Sequence, residues 1–212
     1  MSEIVLNYHN SLLRQSDLLL LEKGYWLNDN LIAFYFEYLE RTIINKFNSR
    51  VCFINPSTSQ MAKFMSYDDL IIILEGLNLS YADFAFIAVN NNHSAEDSGG
   101  SHWSLLFFDR GNKKFSHFDS FDKSNAASAE LIVNSFKHIF ACPDSIIIHV
   151  ACPQQANCYD CGVYVISFTD YLSRSLLGTE NRSIDKVITP GYVKEKRENM
   201  KELIHSLVIV VK

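Results

Sequence analysis

The sequence predicts an α+β fold, with a central mostly antiparallel sheet flanked by helices. Three observations predict it. Short apolar runs bounded by turn residues occupy 51–54, 83–89, 102–109, 115–119 and 145–150, as strands do. Longer stretches with apolar residues three and four apart cover 27–43, 60–77 and 125–140 and follow Thr189-Pro190, as amphipathic helices do. The two kinds are mixed without strict β-α-β alternation, which points to α+β.

Each element has its own local reason. The 27–43 helix has Asn28 or Asp29 as its cap and sets Leu31, Phe34, Tyr35, Tyr38 and Leu39 on one side. Val51-Cys52-Phe53-Ile54 is a strand closed by Asn55-Pro56, and 60–77 reads as one or two helices. The nearly continuous apolar run 83–89 is a buried strand, followed by the longest loop, 90–100, rich in Asn, Ser and Gly. Arg110-Gly111-Asn112-Lys113-Lys114 joins two strands as a hairpin connection. The 162–168 stretch is ambiguous: Val163, Val165 and Ile166 favour a strand, while continuation to Leu177 favours a helix. Thr189-Pro190 supplies a cap and a first-turn proline to a last helix with Val193, Met200, Ile204 and Leu207 on one face. With no internal repeat and no low-complexity stretch, residues 1–212 are expected to form a single domain.

Composition excludes several function classes. The chain is 48% hydrophobic and 20% charged over 212 residues, values of an ordinary globular protein. Lys and Arg number 19 against 24 Asp and Glu, and the largest basic cluster is Lys194-Glu195-Lys196-Arg197. A nucleic-acid partner, which wants a basic surface, is not expected. No apolar run approaches the ~18–20 residues of a membrane span, so no membrane association is expected. The opening Met1-Ser2-Glu3-Ile4 lacks the pattern of a signal peptide. The five cysteines are then expected as reduced thiols in the cytoplasm and/or nucleus.

Hairpin arithmetic brings a histidine to a carboxylate. Facing residues of an antiparallel hairpin have position numbers of constant sum, and a turn near residues 110–112 sets that sum at 221 to 223. The lower value puts His102 opposite Asp119, with Cβ atoms about 4.5–5.5 Å apart. An imidazole oriented by a carboxylate is the base half of a nucleophilic triad. His117, on the face of Asp119 but about 6.5–7 Å along the strand, is too far for direct pairing. His9, His93, His138, His149 and His205 have no comparable partner in the sequence and read as solvated or core residues.

Cys161 is the cysteine placed for chemistry. Cys52 and Cys142 have mostly apolar neighbours, and Cys152 precedes Pro153 with no activator in its own segment. Cys161 closes the polar stretch Pro153-Gln154-Gln155-Ala156-Asn157-Cys158-Tyr159-Asp160 just before a long apolar segment. If that segment is a helix, its unpaired N–H groups and dipole favour a thiolate at its first residue. Gly162 would let a substrate backbone approach, and Gln155 could join the Cys161 N–H as an oxyanion hole. Cys158-Tyr159-Asp160-Cys161 is also a C-x-x-C, but no β-α-β context supports a thioredoxin-like site. No second ligand pair supports zinc. Neither a metal nor a cofactor is expected.

Three stretches together resemble the Ulp/sentrin-specific cysteine proteases, which process ubiquitin-like modifiers. They are Trp26-Leu27-Asn28-Asp29; Ser101-His102-Trp103-Ser104-Leu105-Leu106 followed by His117-Phe118-Asp119-Ser120; and Gln154-Gln155-Ala156-Asn157-Cys158-Tyr159-Asp160-Cys161-Gly162. Tyr8-His9-Asn10-Ser11-Leu12-Leu13-Arg14-Gln15-Ser16-Asp17 and Ile188-Thr189-Pro190-Gly191-Tyr192 look like the small deneddylase branch. The resemblance implies a papain-like fold of the Ulp type, a helix after Cys161, and His102, Asp119 and Cys161 as a triad with Gln155 as the oxyanion residue. Cys158 departs from the expected motif and raises oxidative cross-talk with Cys161.

By the same resemblance the substrate is a modifier of the neddylation pathway and its conjugates, cullins among them, cut after a Gly-Gly tail. Trp26 and Trp103 could form a narrow slot for glycines, with Asp29 and Ser101 as further substrate-binding residues. The 90–100 loop is expected to order over bound substrate, and a monomer suffices for every step. Open alternatives are a SUMO-directed protease of the same fold, a non-catalytic modifier-binding module, an acetyltransferase on a related scaffold and a Cys158–Cys161 redox pair.

Overall fold

The computed structural model describes residues 2–47, 49–96 and 99–210, the side chains of Ile209 and Val210 apart. A hairpin of β1 (Ile4–Tyr8) and β2 (Ser11–Arg14) opens the fold, followed by α1 (Gln15–Leu19) and α2 (Asp29–Ile43). Strand β3 (Val51–Ile54), helices α3 (Pro56–Met61) and α4 (Tyr67–Leu74) and strand β4 (Phe84–Asn90) come next. Strands β5 (Trp103–Asp109) and β6 (Lys114–Phe118), helix α5 (Ala126–Ile139) and strand β7 (Ile146–Val150) complete the sheet. Helices α6 (Cys161–Leu176), α7 (Ile184–Val187) and α8 (Pro190–Val210) follow. Among the described residues no helix is long and apolar enough to cross a membrane.

The main sheet runs β3-β4-β5-β6-β7. Its inner pairs, β4–β5 and β5–β6, are antiparallel, and its outer pairs are parallel. Each parallel pair needs a crossover; α3 with α4 provides one and α5 the other. This is the predicted α+β class.

Alternation along the strands builds two cores. Leu105 and Phe107 of β5 face the layer of α2, α6 and α8, while Leu106 and Phe108 face α4 and α5. The terminal hairpin, which the sequence reading did not assign, adds Leu6 and Leu13 to the first core. Residues 60–77 divide in two because Asn55 caps α3 ahead of Pro56 at its first turn, and Ser66 caps α4.

The ambiguous 162–168 segment is helical and buried, within α6. A Cβ on Gly162 would lie 2.8 Å from the Leu27 Cβ. That glycine therefore serves the contact between α6 and Leu27, and the expectation that it admits a substrate backbone is corrected. The facing pairs of β5 and β6, such as Leu105 with Phe118 and Asp109 with Lys114, sum to 223 rather than 221. Lys113, at a left-handed φ of 48°, turns the chain between them. His102 and Asp119 are thus offset by two residues and lie just beyond the strands.

The Lys194–Arg197 run is no surface patch. Lys196 pairs with Asp170, and Arg197 is buried against Asp160.

Candidate active site

Cys161 is the first residue of α6 and is 1% exposed. The first N–H groups of a helix have no intrahelical acceptor, so the sulfur sits at the positive end of a 16-residue helix. The preceding turn is held by Asn157, whose Oδ1 accepts the N–H groups of Tyr159 and Asp160, both at 3.0 Å. On the other side Trp26 donates its indole N–H to the Cys158 carbonyl at 2.6 Å.

Facing the sulfur is the predicted imidazole. His102 Nε2 lies 2.6 Å from Asp119 Oδ1, which leaves Nδ1 as the other ring nitrogen. A diagonal pair across a hairpin is still within reach of a long side chain, so the offset register permits the bond. Burial alone would push His102 down. Hydrogen bonding to Asp119 and to Cys161, with the charge of both, outweighs it and raises His102 to about 9. For Asp119 burial pushes the carboxyl up, but His102 and the Asn125 and Phe121 N–H groups hold it below the usual range.

Asn125, just ahead of α5, fixes this pair from behind. Its backbone N–H donates to Asp119 Oδ2 at 2.9 Å. Its amide donates to the Val89 carbonyl at 3.0 Å, the His102 carbonyl at 3.3 Å and Ser104 Oγ at 3.0 Å. Gln154 adds a bond to the Asp119 carbonyl at 2.9 Å. Neither residue was singled out from the sequence; their roles depend on chain crossings that no local pattern announces.

A groove of about 790 Å³ leads to Cys161 and is also bordered by Trp26, Asp29, Ser101 and Trp103. All four residues expected at a substrate site therefore meet one space. The two indoles differ, however. Trp26 is exposed, whereas Trp103 is mostly buried in the core and donates its N–H to the Leu27 carbonyl at 3.0 Å. The groove is thus lined by one exposed ring and one packed ring. The lining also includes Asn90, Asn92, Gly99 and Gly100. Lys63 donates to the Asn90 and Asn92 carbonyls at 2.8 and 2.6 Å, and its burial lowers its pKa to about 8. Gly100 has φ +88°, and a Cβ there would overlap the Asn90 side chain. Asp97 and Ser98 of the 90–100 loop lie outside the described residues.

Gln155 is in the loop that leads into Cys161 but is not among the residues lining the groove. Its Oε1 accepts from Ser120 Oγ at 2.9 Å and its Nε2 donates to the Asn157 carbonyl at 2.7 Å. Burial pushes Cys52 and Cys152 up to about 11, and Cys158 is exposed as a free thiol. No group of ligands suited to a metal occurs among the described residues.

One polar pair was missed. His117 Nδ1 lies 2.8 Å from His149 Nδ1, and its Nε2 lies 2.9 Å from Ser104 Oγ. Ser104 Oγ also receives the Asn125 amide, which joins this pair to the residues that hold Asp119.

A thiol at a helix start, an imidazole–carboxylate pair beside it and a groove leading to the sulfur on an α+β scaffold are the constellation of a cysteine protease. The chain belongs to the Ulp1 protease family, whose C-terminal catalytic domain matches residues 25–208. It is 38% identical over 210 residues to sentrin-specific protease 8 of Mus musculus, covering 98% of this chain and 95% of that protein. The human protein of that name is 36% identical, with 98% and 99% covered. NEDD8-specific protease 1 of Arabidopsis thaliana is 30% identical, with 96% and 93% covered. Among solved structures, the SUMO protease Ulp1 with its catalytic cysteine oxidised to a sulfenic acid superposes with TM-score 0.78 at 23% identity, covering 99% of this chain and 90% of that one. The Ulp1 protease domain in complex with yeast SMT3 gives 0.75 at 23% identity, with 98% and 89% covered.

Proposed function

We propose that this protein is a thiol isopeptidase that cleaves after the C-terminal Gly-Gly of a ubiquitin-like modifier of the neddylation type, acting on precursors and on conjugates such as cullins. The single observation that carries the chemistry is the His102–Asp119 bond of 2.6 Å beside Cys161. Full-length similarity to sentrin-specific protease 8 and to NEDD8-specific protease 1 supports the modifier class. The protein works in the cytoplasm and/or nucleus and needs only a monomer.

The extended tail lies along the groove, past Trp26, Asp29, Ser101 and Trp103. His102, with its pKa at about 9, holds a proton at neutral pH, the charge that a thiolate needs beside it. The Cys161 sulfur attacks the last glycine's carbonyl, and His102 gives its proton to the departing amine. Neutral His102 then takes a proton from water, which attacks the thioester and frees the enzyme. Asp119 orients the imidazole and balances its charge. The Cys161 N–H stabilises the oxyanion, joined by Gln155 once its amide leaves the Asn157 carbonyl.

Cys161→Ala is expected to abolish turnover and keep modifier binding; cleavage retained in that variant would overturn the mechanism. A panel of fluorogenic modifiers tests the substrate class, with the neddylation-type modifier expected to be cut fastest. Faster cleavage of a SUMO-type substrate would reassign it.

A further inference from the structure

We infer that Arg197, on the last helix, is a positioning residue for the nucleophile, acting as a buried clasp that sets the Trp26 segment against the Cys161 turn. The inference rests on the reading of Cys161 as the nucleophile.

Arg197 lies 36 positions beyond Cys161 and is 4% exposed. Its Nη1 donates to the carbonyls of Leu20 at 2.7 Å and Glu22 at 3.2 Å. Its Nη2 donates to the carbonyls of Tyr25 at 3.1 Å and Tyr159 at 3.3 Å. Asp160 Oδ1 accepts from Nε at 3.1 Å and from Nη2 at 2.8 Å. These acceptors fall in two segments only. One leads into Trp26, the exposed indole of the groove; the other is the pair of residues immediately before Cys161.

A guanidinium carries five N–H donors in a rigid plane, and every nitrogen of this one is engaged. A lysine has three donors on a rotating point charge and cannot bridge the two segments in this way. Asp160 is the N-cap residue of α6, yet its side chain makes no cap bond. Its Oδ1 is turned to Arg197 instead, while Oδ2 accepts from Asn157 Nδ2 at 2.8 Å. From the groove side, the Trp26–Cys158 bond joins the same two segments. The turn that ends at Cys161 is therefore tied twice to the Trp26 segment, and the tie that reaches farther along the chain comes from α8. One buried charge thus gathers three carbonyls of the Trp26 segment together with the Tyr159 carbonyl and the Asp160 carboxylate of the turn before Cys161.

The test compares Arg197→Lys and Arg197→Met with wild type, counting competent sites with a modifier bearing a C-terminal electrophile. Turnover per labelled site is expected to fall on the order of 100-fold in Arg197→Met, the effect of displacing a nucleophile by about an ångström. Arg197→Lys is expected to fall on the order of 10-fold and not to rescue. The labelling rate should fall in parallel, while the His102 imidazole titrates as in wild type by NMR. General loosening of the fold would instead reduce the number of labelled sites or shift the His102 titration. Unchanged turnover per labelled site overturns the inference, as does a loss that tracks a shifted His102. If both variants fail to fold, the near-isosteric Asp160→Asn decides, with reduced turnover per labelled site expected and unchanged turnover overturning. Cleavage retained in Cys161→Ala would instead remove the underlying assignment, whatever Arg197 does.

Discussion

Two buried histidines stand near Asp119, and their proton affinities are driven in opposite directions. His102 is raised to about 9, whereas His117 is lowered to about 4. Burial pushes both down and is the largest single effect on each. At His102 a carboxylate oxygen in contact, with the Cys161 side chain on the other side, reverses the sign. At His117 the contacts are a serine hydroxyl and another imidazole. The charge of Asp119 opposes the fall, while His149 and His102 add to it. The comparison teaches that a carboxylate in direct contact, rather than one merely nearby, decides which histidine carries charge at neutral pH.

The largest test of that comparison is Asp119→Asn. With the contact charge gone, only Cys161 opposes burial at His102, and its pKa should fall from about 9. Turnover should drop on the order of 10³–10⁴-fold. Imidazole NMR and steady-state kinetics check the two effects, and a His102 that stayed near 9 would break the comparison. His117→Leu is the reciprocal change. It leaves the Ser104 hydroxyl and His149 without their partner and should cost about 1–3 kcal/mol, read from urea denaturation. Turnover per folded molecule at neutral pH should remain near wild type.

The smallest effect is in the pH dependence of stability. His102 has a folded pKa above its unfolded one, so its contribution is full below pH ~6.5 and is lost as pH rises through about 9. His117 has a depressed folded pKa, so its contribution is full above pH ~6.5 and is lost as pH falls through about 4. Wild-type urea midpoints should carry an alkaline decline missing from Asp119→Asn and an acidic decline missing from His117→Leu. Difference curves between each variant and wild type isolate the two limbs. Identical limbs in all three proteins would show that neither histidine is linked to folding.

The same residues show how far a single sequence can be read. His102, Asp119 and Cys161 were legible because strand parity and a turn's position constrain which side chains can meet, and a polar-to-apolar boundary marks a helix start. The hairpin sum is the upper value of the expected 221 to 223, so His102 and Asp119 are offset by two residues instead of directly opposed. The His117–His149 pair was beyond reach. The two face each other across the parallel β6–β7 ladder, whose register is set after a 14-residue helix, α5, rather than by a tight turn. Arg197 sat in plain view within a charged run, yet most of its acceptors are backbone carbonyls, which every sequence contains. Gly162 was flagged, but its reason is packing against a leucine 135 positions away.

The rim of the groove carries a lesson for protein engineers. Gly100 combines a left-handed backbone with overlap between any added Cβ and the Asn90 side chain, whose oxygen accepts the Asn92 N–H at 2.7 Å. Gly99, by contrast, would place a Cβ at an ordinary 3.6 Å from Asn92. A combinatorial library spanning both positions should return glycine at 100 and many residues at 99.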